Sequence, residues 1–136
     1  MKKEFSTTWK ASKLPRKQRK FRYNAPLHLR KKFVSVNLSK ELREKYGKRN
    51  IPVKKGDTIK IMKGKFKKKT GKILEVDLKK SKVKVEGIQV KKHDGSNVGV
   101  RLQPSNLQII ELELGDKNRE SKFKKKIEKE KSGESK

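Results

Sequence analysis

Residues 56–77 read GDTIKIMKGKFKKKTGKILEVD. Gly56-Asp57 is a turn signal, Thr58 to Met62 is a short β-forming run, and Lys63-Gly64 stops it. Lys65 to Thr70 is a cationic connection with no apolar period. Gly71 restarts the chain into Lys72-Ile73-Leu74-Glu75-Val76-Asp77-Leu78, a second strand. The connection holds no helical segment, so the two strands are expected to lie antiparallel.

The same texture continues toward the C-terminus. Lys79-Lys80-Ser81 is a turn, and Lys82 to Glu86 alternates with Val83 and Val85 facing one way. Gly87 is expected to break the strand before a new one at Ile88-Gln89-Val90. Asp94-Gly95 supplies a tight turn, Asn97 to Leu102 runs extended, and Pro104-Ser105-Asn106 precedes a last strand at Leu107 to Ile110. Short strands with turn signals every 8–12 residues predict a mainly β chain, folded as a small antiparallel barrel over residues 51–114. Its core is expected from Ile59, Ile61, Ile73, Val76, Val83, Val85, Ile88, Leu102, Leu107 and Ile109.

Before residue 51 the pattern is helical and basic. Ser39 is a good N-cap, Glu41 suits the first turn, Leu42 and Tyr46 share a face, and Gly47 ends the helix. Asn24 is expected to cap a second short helix over 25–34, with Pro26 in its first turn and Leu29 and Phe33 on one side. Both fall in a segment spanning 24–50. Residues 1–23 form a basic arm. In its KASKLPRKQRKFR run, at 10–22, Pro15 discourages helix and no period emerges, so this arm is expected to order on an anionic partner. Trp9, Phe21 and Tyr23 would stack on exposed bases if that partner were RNA; alternatively Trp9 and Phe21 dock on the outside of the barrel. Residues 115–136 form a charged tail, either a frayed helix with Lys124–Glu128 and Lys126–Glu130 pairs or a disordered segment.

Charge decides the class of partner. The 136 residues carry 42 Lys+Arg against 15 Asp+Glu, a net charge of +27. Residues 1–50 contribute +14, residues 51–114 +9 and the tail +4. A solubilising surface needs a net charge of only about 2–8. The excess points to nucleic acid ahead of an anionic membrane or an acidic protein. Other classes fall away. There is no cysteine for disulfides or a Cys-based zinc site. His28 and His93 cannot make a metal centre alone, and no apolar run approaches a membrane span. The start, MKKEFSTTWKASK, lacks the apolar segment of a secretory signal. Gly71-Lys72 is followed by Ile73, not by the Ser or Thr of a phosphate loop. No nucleophile–base constellation or carboxylate dyad is present, so no catalysis and no cofactor are expected. Asp57, Asp77 and Asp94 read as turn caps.

The 56–77 stretch resembles the KOW motif in its Gly-Asp before a strand, its Lys-Gly after it and its Gly-Lys opening the next. The context narrows the likeness. Phe21-Arg22-Tyr23-Asn24-Ala25-Pro26, Leu38 to Arg43, Arg49-Asn50-Ile51-Pro52-Val53 and Leu102 to Leu107 resemble the archaeal and eukaryotic-type large-subunit ribosomal protein L twenty-four family over about residues 15–112. The resemblance implies an SH3-like barrel bound to large-subunit rRNA near its 5′ domain. It also implies a place close to the polypeptide exit tunnel in the cytoplasmic ribosome, among neighbouring large-subunit proteins, and action early in subunit assembly. Many KOW motifs place glycine at the slot held here by Lys68. Transcription-elongation or chromatin-associated KOW modules and basic DNA-packaging proteins are the rival readings.

In that setting the residues expected to meet rRNA phosphates are Lys54, Lys55, Lys63, Lys65, Lys67, Lys68, Lys69 and Lys72 on the barrel. Gly64 and Gly71 would let the backbone approach the RNA. Arg16, Lys17, Arg19, Lys20, Arg22, His28, Arg30, Lys31 and Lys32 would extend the surface over the N-terminal segments.

Overall fold

The structure is a computed structural model, which describes residues 3–121 and 123. Three α-helices, α1 (Pro15–Asn24), α2 (Leu27–Phe33) and α3 (Lys40–Tyr46), are joined by a further α-helical segment at residues 117–121 and by short 3-10 helices at Thr7–Ala11 and Pro104–Asn106. The strands are β1 (Ser35–Leu38), β2 (Asn50–Pro52), β3 (Thr58–Ile61), β4 (Thr70–Asp77), β5 (Lys82–Lys91), β6 (Asn97–Leu102) and β7 (Leu107–Glu111). They form one seven-stranded sheet in the order β2-β1-β7-β3-β4-β5-β6.

This corrects the expected architecture. The fold is mixed α/β, and among the described residues the sheet does not close into a barrel: β2 and β6 are its two ends. The reason lies in residues 34–38, which lack turn signals and sit between helical patterns. They form β1, whose Val36 and Leu38 point inward and whose Asn37 and Leu38 pair parallel to Gln108 and Ile109 of β7. The edge of β7 is thereby occupied. Ser39 N–H donates to the Ile109 carbonyl (2.9 Å), and Leu38 N–H to the Arg49 carbonyl (3.0 Å), tying β1 into the sheet on both sides. Strand β4 changes partner along its length. Thr70–Lys72 of β4 pair with β3, whereas Ile73–Asp77 pair with β5. Nor does Gly87 end a strand: β5 runs through it, and the register to β6 shifts between Lys84 and Gln89.

The N-terminal helices also differ from expectation. Pro15 begins α1 instead of preventing it, because its missing N–H and fixed φ suit the first helical position. Asn24 is the last residue of α1, and its side-chain amide donates to the Glu4 carbonyl (2.6 Å). The second helix therefore starts at Leu27, behind Pro26. The third follows its caps. Ser39 Oγ accepts from Leu42 N–H, and Gly47 closes the helix at φ 55°.

Eight of the ten expected core side chains are buried; Val76 and Leu102 are half-buried against them. Val34, Val36, Leu38, Ile51 and Val53 extend this core across the N-terminal strands, and Tyr46 and Phe123 pack ring to ring at 4.8 Å. The anticipated Lys124–Glu128 and Lys126–Glu130 pairs lie outside the described residues.

Candidate nucleic-acid interface

The β3–β4 connection is a tight, hydrogen-bonded excursion. Ile61 exchanges two backbone bonds across its mouth, donating to the Lys69 carbonyl (2.9 Å) and accepting from Lys68 N–H (2.8 Å). Lys67 N–H donates to the Gly64 carbonyl (3.0 Å), and Lys69 N–H to the Phe66 carbonyl (3.2 Å). Phe66 anchors the loop against the core, with Lys69 Nζ 5.6 Å above its ring. The consequence is that Lys63, Lys65, Lys67, Lys68 and Lys69 are all exposed on a hydrogen-bonded backbone, with Lys69 folded over the Phe66 ring. Lys68 holds φ at 73°, in the left-handed region that favours glycine. A lysine there is strained by about 1 kcal/mol.

Lys72 on β4 and Lys55 in the turn before β3 are exposed and, among the described residues, have no side-chain partner. Lys54 differs: its ammonium is paired with Asp116, and that hydrogen bond holds the Asp116 carboxyl below its ordinary range. Lys54 therefore joins the segment that follows β7 to the turn before β3. Gly71 is half-buried, and its Cα faces β5. A Cβ at that position would meet the Glu86 carbonyl oxygen at 2.7 Å and Val85 Cγ1 at 2.9 Å.

The N-terminal cations divide in the same manner. Arg16, Lys17 and Arg19 on α1 are exposed and bond to no described side chain or carbonyl. Lys20 Nζ sits over Trp9 at 5.2 Å and donates to the Lys3 carbonyl (2.9 Å); the Arg22 guanidinium lies 5.9 Å from the Phe33 ring. Arg30 is committed internally. Its Nε donates to the Ala25 carbonyl (2.7 Å) and its Nη2 to the Tyr23 carbonyl (2.5 Å), so it caps the end of α1 from α2. His28, Lys31 and Lys32 are exposed along α2. Phe21 is buried between Phe5 and Phe33, at ring separations of 5.4 and 5.9 Å.

Of the three aspartates read as turn caps, two are only that. Asp77 Oδ1 accepts from Lys80 N–H (3.0 Å), and Asp94 Oδ1 accepts from the N–H and hydroxyl of Ser96. These bonds, from Lys80 N–H and chiefly from the Ser96 side chain, hold both carboxyls below their ordinary range. Asp57 is wholly buried and pairs with Arg119, a residue whose partner nothing in the sequence announces. Among the described residues no group of three or more His, Asp or Glu side chains is placed to hold a metal ion. No described helix is long and apolar enough to cross a membrane. Among the described residues the arrangement offers exposed cations along the β3–β4 loop and α1, several of them without a side-chain partner. Residues 12–126 match the model of a family described as the eukaryotic ribosomal proteins L twenty-six and their archaeal L twenty-four counterparts.

Proposed function

Because the chain belongs to this family of ribosomal proteins, whose role in translation is structural and RNA-binding and not enzymatic, we propose that it clamps large-subunit rRNA through the sugar–phosphate backbone. The observation that carries this reading is the hydrogen-bonded β3–β4 loop, which exposes five lysines with no acidic side chain among residues 62–72. Arg16, Lys17 and Arg19 of α1, with His28, Lys31 and Lys32 of α2, supply further cationic ground, and Lys55 and Lys72 flank the loop. Lys20, Arg22, Arg30 and Lys54 serve first to hold the N-terminal segments and the segment after β7 in place, and add positive potential. Bridging two RNA helices with one rigid body would fix their relative placement. That suits a component acting early in assembly, near the exit tunnel of the cytoplasmic ribosome and beside neighbouring large-subunit proteins.

Neutralising about eight phosphates gives log affinity a slope against log salt of roughly −6 to −7. Titration of the full chain with large-subunit rRNA fragments and with duplex DNA at matched salt checks this. A steep slope with preference for the rRNA fragments supports the reading. A shallow slope, or equal binding to duplex DNA, overturns it. Lys68→Gly separates charge from fold within the same assay. The variant should be as stable or more stable by up to about 0.5 kcal/mol, since relief of the left-handed strain is partly offset by the greater freedom of glycine in the unfolded chain. It should nevertheless bind RNA more weakly, with the slope reduced by about 0.7–0.9.

A further inference from the structure

We propose that Tyr23 is a stacking platform for an unpaired RNA base, so that the α1 face selects bulged or single-stranded RNA over continuous duplex; this deepens the phosphate-clamp reading and rests on it. Tyr23 is 74% exposed on the last turn of α1, whereas the other aromatic rings of the N-terminal region are already engaged. Phe21 stacks on Phe5 and meets Phe33 edge to face, and Trp9 is half-buried beneath the Lys20 ammonium.

The backbone under the ring is fixed from three directions. Arg30 grips the Tyr23 and Ala25 carbonyls, Asn24 reaches the Glu4 carbonyl, and the neighbouring Phe21 is buried. A base landing on this ring therefore has no helix end to order, which removes much of the entropy loss of binding.

The charges beside the ring suit a nucleotide chain. At 3.6 residues per turn, Arg16, Arg19 and Tyr23 lie on one side of α1, opposite the buried Phe21. Along the helix axis Arg19 precedes Tyr23 by about 6 Å and Arg16 by about 10 Å. Neither guanidinium has a partner among the described residues. A planar apolar ring with uncommitted guanidinium groups along one helix face matches a base with its flanking phosphates. An acidic protein segment would use the two arginines and leave the ring idle. In a continuous A-form duplex the bases are stacked inside and present no free face to a tyrosine.

The test uses the full chain and two labelled RNA hairpins with equal numbers of phosphates, one fully paired and one carrying a three-nucleotide bulge. Stacking is tolerant of base identity, so a generic bulge suffices. The unmodified chain should prefer the bulged hairpin. Tyr23→Ala should lose between about 5- and 150-fold in affinity for it, while affinity for the paired hairpin and the salt slope stay unchanged. Tyr23→Phe should retain the preference. Thermal unfolding of both variants should match the unmodified chain, since the ring contributes little buried area. Salt-dependent binding with equal affinity for the two hairpins, or an equal loss on both in Tyr23→Ala, overturns this inference alone. No salt-dependent RNA binding by the unmodified chain overturns the clamp reading as well.

Discussion

Substitution of Asp57 by alanine is expected to remove about 3–5 kcal/mol of folding stability, read as a drop in the urea midpoint. The carboxylate is fully buried and every one of its contacts is structural. Oδ2 accepts from Lys54 N–H (2.8 Å) and Arg119 Nη2 (2.8 Å); Oδ1 accepts from Glu113 N–H (3.0 Å) and Arg119 Nη1 (2.6 Å). One side chain thus closes the turn before β3, holds the chain leaving β7 and anchors the terminal helical segment. Alanine would orphan two backbone donors and leave a guanidinium of 7% exposure with, among the described residues, the Glu113 carbonyl as its remaining partner. Arg119→Met should cost less, because the remaining carboxylate keeps both backbone donors. Combining the two should cost less than the sum of the single effects, since no unpaired charge is left. An Asp57→Ala loss below about 1 kcal/mol would mean that the pair is hydrated and that the terminal segment is not clamped through it.

That pair also marks the limit of what the sequence discloses. Patterns confined to a few residues read directly: Ser39 with Gly47 bounds α3, the Val83–Val85 alternation gives β5 its inward face, and Asp94-Gly95 makes the β5–β6 turn. Asp57 and Arg119 are 62 residues apart, and a Gly-Asp before a strand looks the same whether its carboxylate caps a turn or meets a distant arginine. The openness of the sheet was hidden for a similar reason. Whether β7 ends at an edge or is covered by β1 depends on a parallel pairing across some 70 residues, and SVNL at 35–38 is too short to assert a strand alone. Pro15 misled through its double meaning, since the ring that breaks a helix interior also starts a helix. For the candidate interface, composition gave the sign of the surface but not its division of labour. Arg30 and Arg16 look alike in sequence; only the fold shows that one holds two carbonyls and the other faces solvent.

Gly71 and Gly64, two of the three glycines in residues 56–77, should respond very differently to the same substitution. Gly71→Ala is expected to cost about 2–3 kcal/mol. Its new methyl would stand 2.7 Å from the Glu86 carbonyl oxygen and 2.9 Å from Val85 Cγ1. The valine could turn aside, but the carbonyl belongs to β5, whose Val85 is in register with Ile73 of β4 two residues beyond the glycine. Relief would require the strands to part at the point where β4 passes from pairing with β3 to pairing with β5. Gly64 has open space around it and a φ of 96°, so Gly64→Ala meets no atom and carries only the conformational strain, about 1 kcal/mol. Urea midpoints at unchanged m-value distinguish the cases. If Gly71→Ala kept full stability and lost only RNA affinity, the residue would serve the RNA contact and the packing argument would be wrong. If instead it lowers the midpoint while the folded fraction keeps its salt slope, glycine at 71 is required by the close approach of β4 to β5.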